Sequence, residues 1–585
     1  STFSFQPLFS APLSLSQLQV ASQESAKSSL QPERIDSTIS SVPTLGKSDP
    51  SFRPSQCSQS TTDSEEEVEI DTESPVRSKY FLVDKANLEQ LFRRCQECGG
   101  IIDPTSVCWK QKASALWATY QCTECKKWGR WDNQPKRGSG RSQVHELNQS
   151  IPVAAFITGT PIARLLDLFE LLGIGVPSER SMRDSVRFYA CPAIDRVFAV
   201  WERDARDLSK EAAPMDGIMI ALDGQYDSPG WTSSNGKAFD AGLRLIVACV
   251  SLSVKDDEIG GVSCRIETIG SERVLVQLVE DGFKIRERVT DSNASVDKRI
   301  RENPKLSGIE SRRDFWHVQK PLRKAWWDCM KKPSCRCLAQ WYKPFFNHLY
   351  YTNDRFPKLE DRPLALEHAR SFLKHCTGEH TSKKDDEFKL VTQCNHATRR
   401  VTKKGIKKGK AAKKDKKMRQ LIEKDSPEYR LIHSLLFSPA FEKAFLKCSA
   451  DACTAMCESY HSLSLMYAPK RLSSSAPYYN KKMKLSAMHH NSLMFSELLG
   501  DRVEIGQVLL PRKGRIADSV KRKMSKGKHP WRDEIMEESW ILRDVYEGNR
   551  YLKRIGAPDD DHFDQLKVIY DRMVRGEEES DEEEE

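Results

Sequence analysis

Residues 218–231, IMIALDGQYDSPGW, constrain this chain more than any other stretch. An apolar run from Ile218 to Leu222 delivers a carboxylate, Asp223, directly into a glycine, with Asp227 and a Ser-Pro-Gly turn behind it. A short apolar run bounded by turn residues predicts a buried strand. An acid at the exit of such a strand is costly unless it is paired or holds a metal. Asp223 is therefore the first candidate metal-binding carboxylate.

At 585 residues the chain exceeds a single core and predicts about three to four domains with linkers. Hydrophobic residues make up 38% and charged residues 30%, and no window holds the ~18 uninterrupted apolar residues of a membrane span, which argues against a membrane protein. The N-terminal polar stretch lacks the charged and apolar regions of a signal peptide. Seventeen cysteines, some in CxxC pairs within a lysine-rich chain, favour a reducing compartment and metal over disulfides.

The net charge of +9 conceals a basic middle and an acidic end. Residues 399–419 carry twelve Lys or Arg against one acid, Asp415. Arg399, Arg400, Lys403, Lys404, Lys407, Lys408, Lys410, Lys413 and Lys414, with Lys470 and Arg471 further on, are the expected contacts to a phosphate backbone. A solvated loop without a partner is the competing reading. The acidic tail at 576–585 is expected to meet basic proteins.

Taken in order, residues 1–78 are Ser/Gln-rich and too polar to bury a core, so disorder is expected. The segment 79–145 contains Cys95 and Cys98, then Cys122 and Cys125, two CxxC knuckles 23 residues apart. Each CxxC turn offers two thiolates to one tetrahedral ion, and the alternation near residues 115–120 suits the hairpin of a zinc ribbon, with Zn²⁺ as cofactor. Cys108 lies inside the gap as a spare thiol or substitute ligand, and Trp128 and Trp131 are expected to pack on the module. Residues 146–212 read as helices. Thr160 and Pro161 begin one with an apolar stripe of Ile162, Leu165, Leu166, Leu168, Phe169 and Leu172. Ser178 caps a second, with Met182, Val186 and Tyr189 inward and Arg180, Arg183 and Arg187 outward. This is the outline of a DNA-reading helix-turn-helix, and equally of any helical hairpin.

Segment 213–317 carries the strand of Asp223, further strands at 243–254 and 263–269, a helix at 273–281, and a fourth strand at 284–290 ending in Asp291. Three strands, a helix and a returning parallel strand would set Asp223 and Asp291 side by side at strand ends. That is a ribonuclease H-like arrangement, an α+β or α/β class, and two adjacent carboxylates repel unless a divalent cation such as Mg²⁺ or Mn²⁺ lies between them. A third acid is needed from a later helix. Residues 440–500 offer it in CESYHSL, where Glu458 and His461 are three apart on one face of a helix expected at 441–467; Asp451 is the rival. The intervening stretch, including 318–439, is too long for a loop and predicts a helical insertion with a basic linker. Within it His375, His380, Cys394 and His396 form a candidate second zinc site, with surface residues the alternative. Residues 501–575 read as a C-terminal helical extension.

These motifs, in this order, make a pattern. DGQYDSPGW, VTDSNASV at 289–296, DFWH at 314–317, WYKPFFNHLYY at 341–351 and CESYHSLSLMYAPKR at 457–471, after the zinc knuckles, resemble the Kolobok superfamily of transposases and genes descended from them. The resemblance implies a DDE-type strand transferase with Asp223, Asp291 and Glu458 as its Mg²⁺- or Mn²⁺-binding triad, and Asp314 and His317 as neighbours. It implies double-stranded DNA as partner, a homodimer on that DNA, and a nuclear location. Departures are the missing N-terminal zinc finger of many relatives, the Ser/Gln-rich start and the acidic tail. The alternative is a domesticated, catalytically silent zinc-containing DNA- or chromatin-binding protein; an RNA-directed nuclease of the same fold is a third reading.

Overall fold

The computed structural model describes residues 78–138, 140, 143–226, 233–291, 293–381, 388–393, 419–448, 454–470, 472, 474–510 and 519–545. Residues 1–77 of the segment expected to be disordered, the basic run at 399–414, Cys394, His396, Asp451, Arg471 and the acidic tail lie outside these residues. The cysteine module, through Gln111 and then 116–133, and the remainder from Gln134 form separate compact units.

The cysteine module opens with helix α1 (Lys85–Gln90), capped by the Asp84 carboxylate, and continues as a three-stranded sheet of β1 (Cys108–Lys112), β2 (Ala115–Gln121) and β3 (Trp128–Asp132) in that order. Its small core is aromatic. Phe92 meets Trp109 and Trp131 edge-on at 5.0 and 5.6 Å, beside buried Ile102, Ala118 and Tyr120. Trp131 thus packs inward as expected, whereas Trp128 on the opposite side of β3 is exposed.

Past residue 145 come α2 (Glu146–Thr158), α3 (Ile162–Leu171), α4 (Glu179–Ser185) and α5 (Cys191–Glu211). A wider π turn at Val186–Ala190 joins α4 to α5, so the two run as one continuous rod. Met182, Val186 and Tyr189 are buried as the spacing predicts, and Ser178 caps α4. The expected apolar stripe of α3 is not: no residue of that helix is buried, and Leu168, Leu171 and Leu172 face out. Gly159, left-handed at φ 77°, ends α2 where a Cβ would sit 2.4 Å from the Met466 carbonyl oxygen. Only glycine fits a left-handed turn at that approach.

The core of the larger unit is a five-stranded mixed sheet. Strands β4 (Ile218–Tyr226), β5 (Ser233–Asp240) and β6 (Ile246–Ser253) form an antiparallel meander, helix α6 (Cys264–Glu280) follows, and β7 (Ile285–Thr290) returns parallel to β4. After α7 (Ala294–Glu302), β8 (Glu310–Arg313) adds parallel to β7, giving the order β8-β7-β4-β5-β6. Successive residues Ile220, Ala221 and Leu222 are all buried, so helices cover both faces at β4.

Two expected strands change. Residues 263–269 are the first turns of α6, because Ile266, Ile269, Val274, Leu275 and Leu278 are buried at helical rather than alternating spacing. The second strand of the meander is instead β5, whose SSNGKAFD sequence carries too few apolar residues to announce itself.

The next helices, α8 (Phe315–Met330), α9 (Leu338–Arg355), α10 (Arg362–Arg370), α11 (Phe372–Cys376), α12 (Pro427–Leu436) and α13 (Pro439–Phe445), close around a second core. Trp326 stacks on Phe345 at 4.6 Å, and Trp341, Phe346 and Phe372 are buried beside them, while Trp327 and Tyr351 are exposed. The single helix expected at 441–467 is two elements, α13 and α14 (Ala455–Ser464). Helix α15 (Ala476–Leu498) then packs against α5 and β6. An antiparallel hairpin of β9 (Glu504–Leu510) and β10 (Ser519–Met524) precedes α16 (Trp531–Val545). No helix among the described residues is long and apolar enough to cross a membrane.

Candidate functional site

Two constellations carry chemistry, one in each unit. In the cysteine module the sulfurs of Cys95, Cys98, Cys122 and Cys125 all lie within 4.8 Å of one another, with Cys95 to Cys125 at 3.9 Å and Cys98 to Cys122 at 3.6 Å. Four sulfurs ~2.3 Å from a central ion sit ~3.8 Å apart, so the spacing is compatible with tetrahedral zinc. The knuckles are near copies: Gly99 N–H donates to the Cys95 carbonyl at 2.8 Å and Lys126 N–H to the Cys122 carbonyl at 3.1 Å, with both Gly99 and Lys126 left-handed. Backbone N–H groups of Cys125 and Glu124 draw the Cys122 thiol down to about 7 despite its burial. The Gly100 N–H lowers Cys98, yet its thiol neighbours Cys122 and Cys125 hold it up at about 12. Four thiols without a cation share protons, and a cation is what lets all four ionise. Cys108 is exposed at the start of β1 and stands outside the set.

In the larger unit, the last paired rung between the parallel strands is Ala221 with Val289. Two residues further along come Asp223, still inside β4 and paired with Lys237 of β5, and Asp291, one residue past the end of β7. The acids thus follow the point where the parallel pairing stops, whereas the sequence reading puts Asp223 at the strand's exit. Burial pushes Asp223 up to about 7, and the charge of Asp291 adds to the shift; the Gly224 N–H, donating to Asp223 Oδ1 at 2.8 Å, opposes it. Asp291 is raised by burial, lowered by His317 and raised again by Asp314. A histidine stands against each acid. His461 Nδ1 is 3.5 Å from Asp223 Oδ2, and His317 Nε2 is 3.2 Å from Asp291 Oδ1. Burial, with the charges of Lys237 and Lys470, lowers His461 to about 3, so its ring is neutral.

The scaffold explains why these side chains meet. Asp314 caps α8 through the Trp316 N–H at 2.8 Å, and its other oxygen accepts from the N–H and hydroxyl of Thr454, both at 2.8 Å. Thr454 heads α14, so one buried carboxylate binds the helix of His317 to the helix of His461. Below them Asp297 joins Arg288 at 2.7 Å and Arg313 at 2.5 Å, and Arg313 donates to the Asp291 carbonyl at 2.9 Å, fixing the turn that carries this acid. Asp314→Ala leaves three donors without an acceptor, and is expected to cost ~2–4 kcal/mol of stability. Denaturant unfolding checks it; an unchanged midpoint would mean that other contacts hold the junction.

Glu458 is exposed one turn before His461, in the first turn of α14. Two further charges that the sequence reading overlooked reach Asp223. Glu267, in the first turn of α6, raises it. Lys237, the rung partner of Asp223 on β5, lowers it while lying fully buried with its ammonium 4.8 Å from the Tyr460 ring, and burial brings this lysine down to about 8. Both were hidden by the misassigned strands, for a β5 placed at 233–240 would have set Lys237 across from Asp223 by pairing alone. Lys470 is exposed in the turn after α14.

Of the second candidate zinc set, His375 and His380 stand with ring centres 4.9 Å apart, and His375 packs against Trp341 at 6.1 Å. Its other two members lie outside the described residues, as do all the expected DNA contacts except Lys470. Compared with protein-family models, curated proteins and solved structures, the chain gives no match in any of the three.

Proposed function

We propose that this chain is a DNA transposase-like protein with a ribonuclease H-like core, cutting DNA strands and joining 3′ hydroxyls with divalent metal held at Asp223 and Asp291. The observation that carries the reading is the pair of acids each two residues past the last parallel rung of β4 and β7, in a sheet ordered β8-β7-β4-β5-β6. Asp223 is raised first by burial and then by the charge of Asp291, and a cation at the pair would offset both. Asp223 and Asp291 would hold the ion, which would supply polarisation of a phosphodiester oxygen and a lowered pKa for an attacking water or 3′ hydroxyl.

The remaining roles belong to the chain. Asp223 gives up its proton to become a ligand, Lys237 limits the negative charge behind it, and Glu458, exposed on α14, is the third acid of the proposed triad. Lys470 and the basic run hold the phosphate backbone, and the cysteine module binds zinc as a structural element. A nuclear location and a second copy on the DNA complete the reading.

The test uses the full chain with end-labelled duplex DNA and Mg²⁺ or Mn²⁺. Strand cleavage is expected, abolished by chelator and reduced at least ~100-fold by Asp291→Asn, a loss of ~3 kcal/mol of transition-state stabilisation. DNA affinity should stay near normal. Binding without cutting under any metal would replace this reading with that of a silent DNA-binding protein.

A further inference from the structure

The sheet of the cysteine module has two unlike faces, because side chains alternate along each strand. Trp109 of β1, Ala118 and Tyr120 of β2, and Trp131 of β3 pack inward around Phe92. The residues between them make the opposite face: Lys110 on β1, Trp117 and Gln121 on β2, and Trp128, Arg130 and Asp132 on β3. Trp128 lies across from Gln121 and Asp132 across from Trp117. A tryptophan ordinarily buries most of its large surface. The Trp128 indole is instead 73% exposed.

Arg130 supplies a second flat group on this face. Its Nε and Nη2 donate to the two Asp132 oxygens at 2.8 and 2.9 Å, and its guanidinium lies over the Trp117 ring at 5.7 Å. Asp132 neutralises its charge, so what Arg130 offers to solvent is a fixed plane. That plane follows Trp128 by two residues, ~6.8 Å along the strand. Unpaired charge comes from elsewhere: Lys110 on β1 and Lys126 in the second knuckle are exposed and form no ion pair among the described residues, whereas Lys127 meets Glu97 at 3.2 Å. Two planes in succession between free ammonium groups match a ligand in which flat rings alternate with anions. A duplex keeps its base faces stacked on one another, and a proline-rich peptide would leave the ammonium groups without a partner. We propose that this face binds an unpaired nucleic-acid strand, one base stacking on Trp128 and the next on Arg130, with Lys110 and Lys126 beside its phosphates. The module would then grip a strand as well as hold zinc, through residues that lie apart from the carboxylate site.

The experiment uses the zinc-loaded full chain with a labelled oligothymidine, the matching oligouridine and a duplex of equal length, at raised salt, where contacts to phosphate alone weaken. Single strands of either sugar are expected to bind more tightly than the duplex, and iodopyrimidine photocrosslinks to fall within residues 116–131. Trp128→Ala should lower single-strand affinity ~5–150-fold with its zinc content unchanged, and Trp128→Phe should restore it to within ~3-fold, since any aromatic ring can stack a base. Four results overturn the proposal: no single-strand binding, crosslinks confined to other segments, single-strand affinity unchanged in Trp128→Ala, or an equal loss on the duplex. None of these readouts depends on strand cleavage at Asp223 and Asp291, so this inference and the proposed activity can each fail alone.

Discussion

Asp223→Asn should abolish strand cleavage and at the same time make the metal-free protein more stable. On the proposed reading, losing Asp223 removes one of the two acids that would hold the cation, and a drop of ~10³-fold or more in cleavage, ~4 kcal/mol, is the expected scale. The stability change has the opposite sign. Asp223 titrates near 7 in the fold, raised by burial and by Asp291, against ~3.9 in an unfolded chain. Between those pH values the folded protein holds a proton that the unfolded chain releases, so wild-type stability rises as pH falls from 7 towards 4. Above pH 7 the ionised acid costs the fold on the order of 2–4 kcal/mol, and the amide removes that cost. Thermal melting in chelator across pH 5–8 should show the variant ahead of wild type at pH 8 and the two converging at pH 5. Equal melting at pH 8 would mean that neither burial nor Asp291 raises Asp223, and cleavage within tenfold of wild type would remove Asp223 from the site.

Removing zinc, or replacing one ligand by Cys122→Ser, should unfold the cysteine module and leave the larger unit intact. The module's own core is small, built around Phe92, Ile102, Ala118 and Tyr120. Structural zinc in modules of this size contributes ~10–16 kcal/mol of apparent binding energy at pH 7, more than such a core supplies. One zinc per chain by elemental analysis, and new protease cleavage within residues 78–133 that appears only after chelation, are the expected results. A module resistant to protease without zinc would make the thiol cluster incidental.

What could be read from the sequence followed from how strongly each segment's pattern depended on local residues. The run from Ile218 to Leu222 is apolar on both faces, so its strand and the acid at its end were legible, as were the two knuckles, whose spacing is itself the ligand geometry. Strand β5 was not, because it lies between two partners and draws its stability from pairing, while its own residues include Gly236 and Lys237. Helix α6 was half lost because Ile266 and Ile269 sit where a short apolar strand would also place them. Around Glu458 the sequence reading put acid and imidazole on one helical face; His461 meets Asp223 and is half-buried, whereas Glu458 is exposed, a difference of environment that spacing alone does not encode.

The neck between Arg313 and Thr454 has a consequence for how such a chain can change. Arg313 N–H donates to the Lys447 carbonyl at 3.1 Å, and Asp314 holds Thr454, so the departing and returning segments are hydrogen-bonded where they pass. Everything between them is a closed excursion from the sheet. Doubling the length of such an excursion costs only ~0.6 kcal/mol in closure entropy. Length added in the loops between its helices is therefore nearly neutral for the sheet and its acids, whereas a change at the neck, or in α8 where His317 meets Asp291, disturbs both.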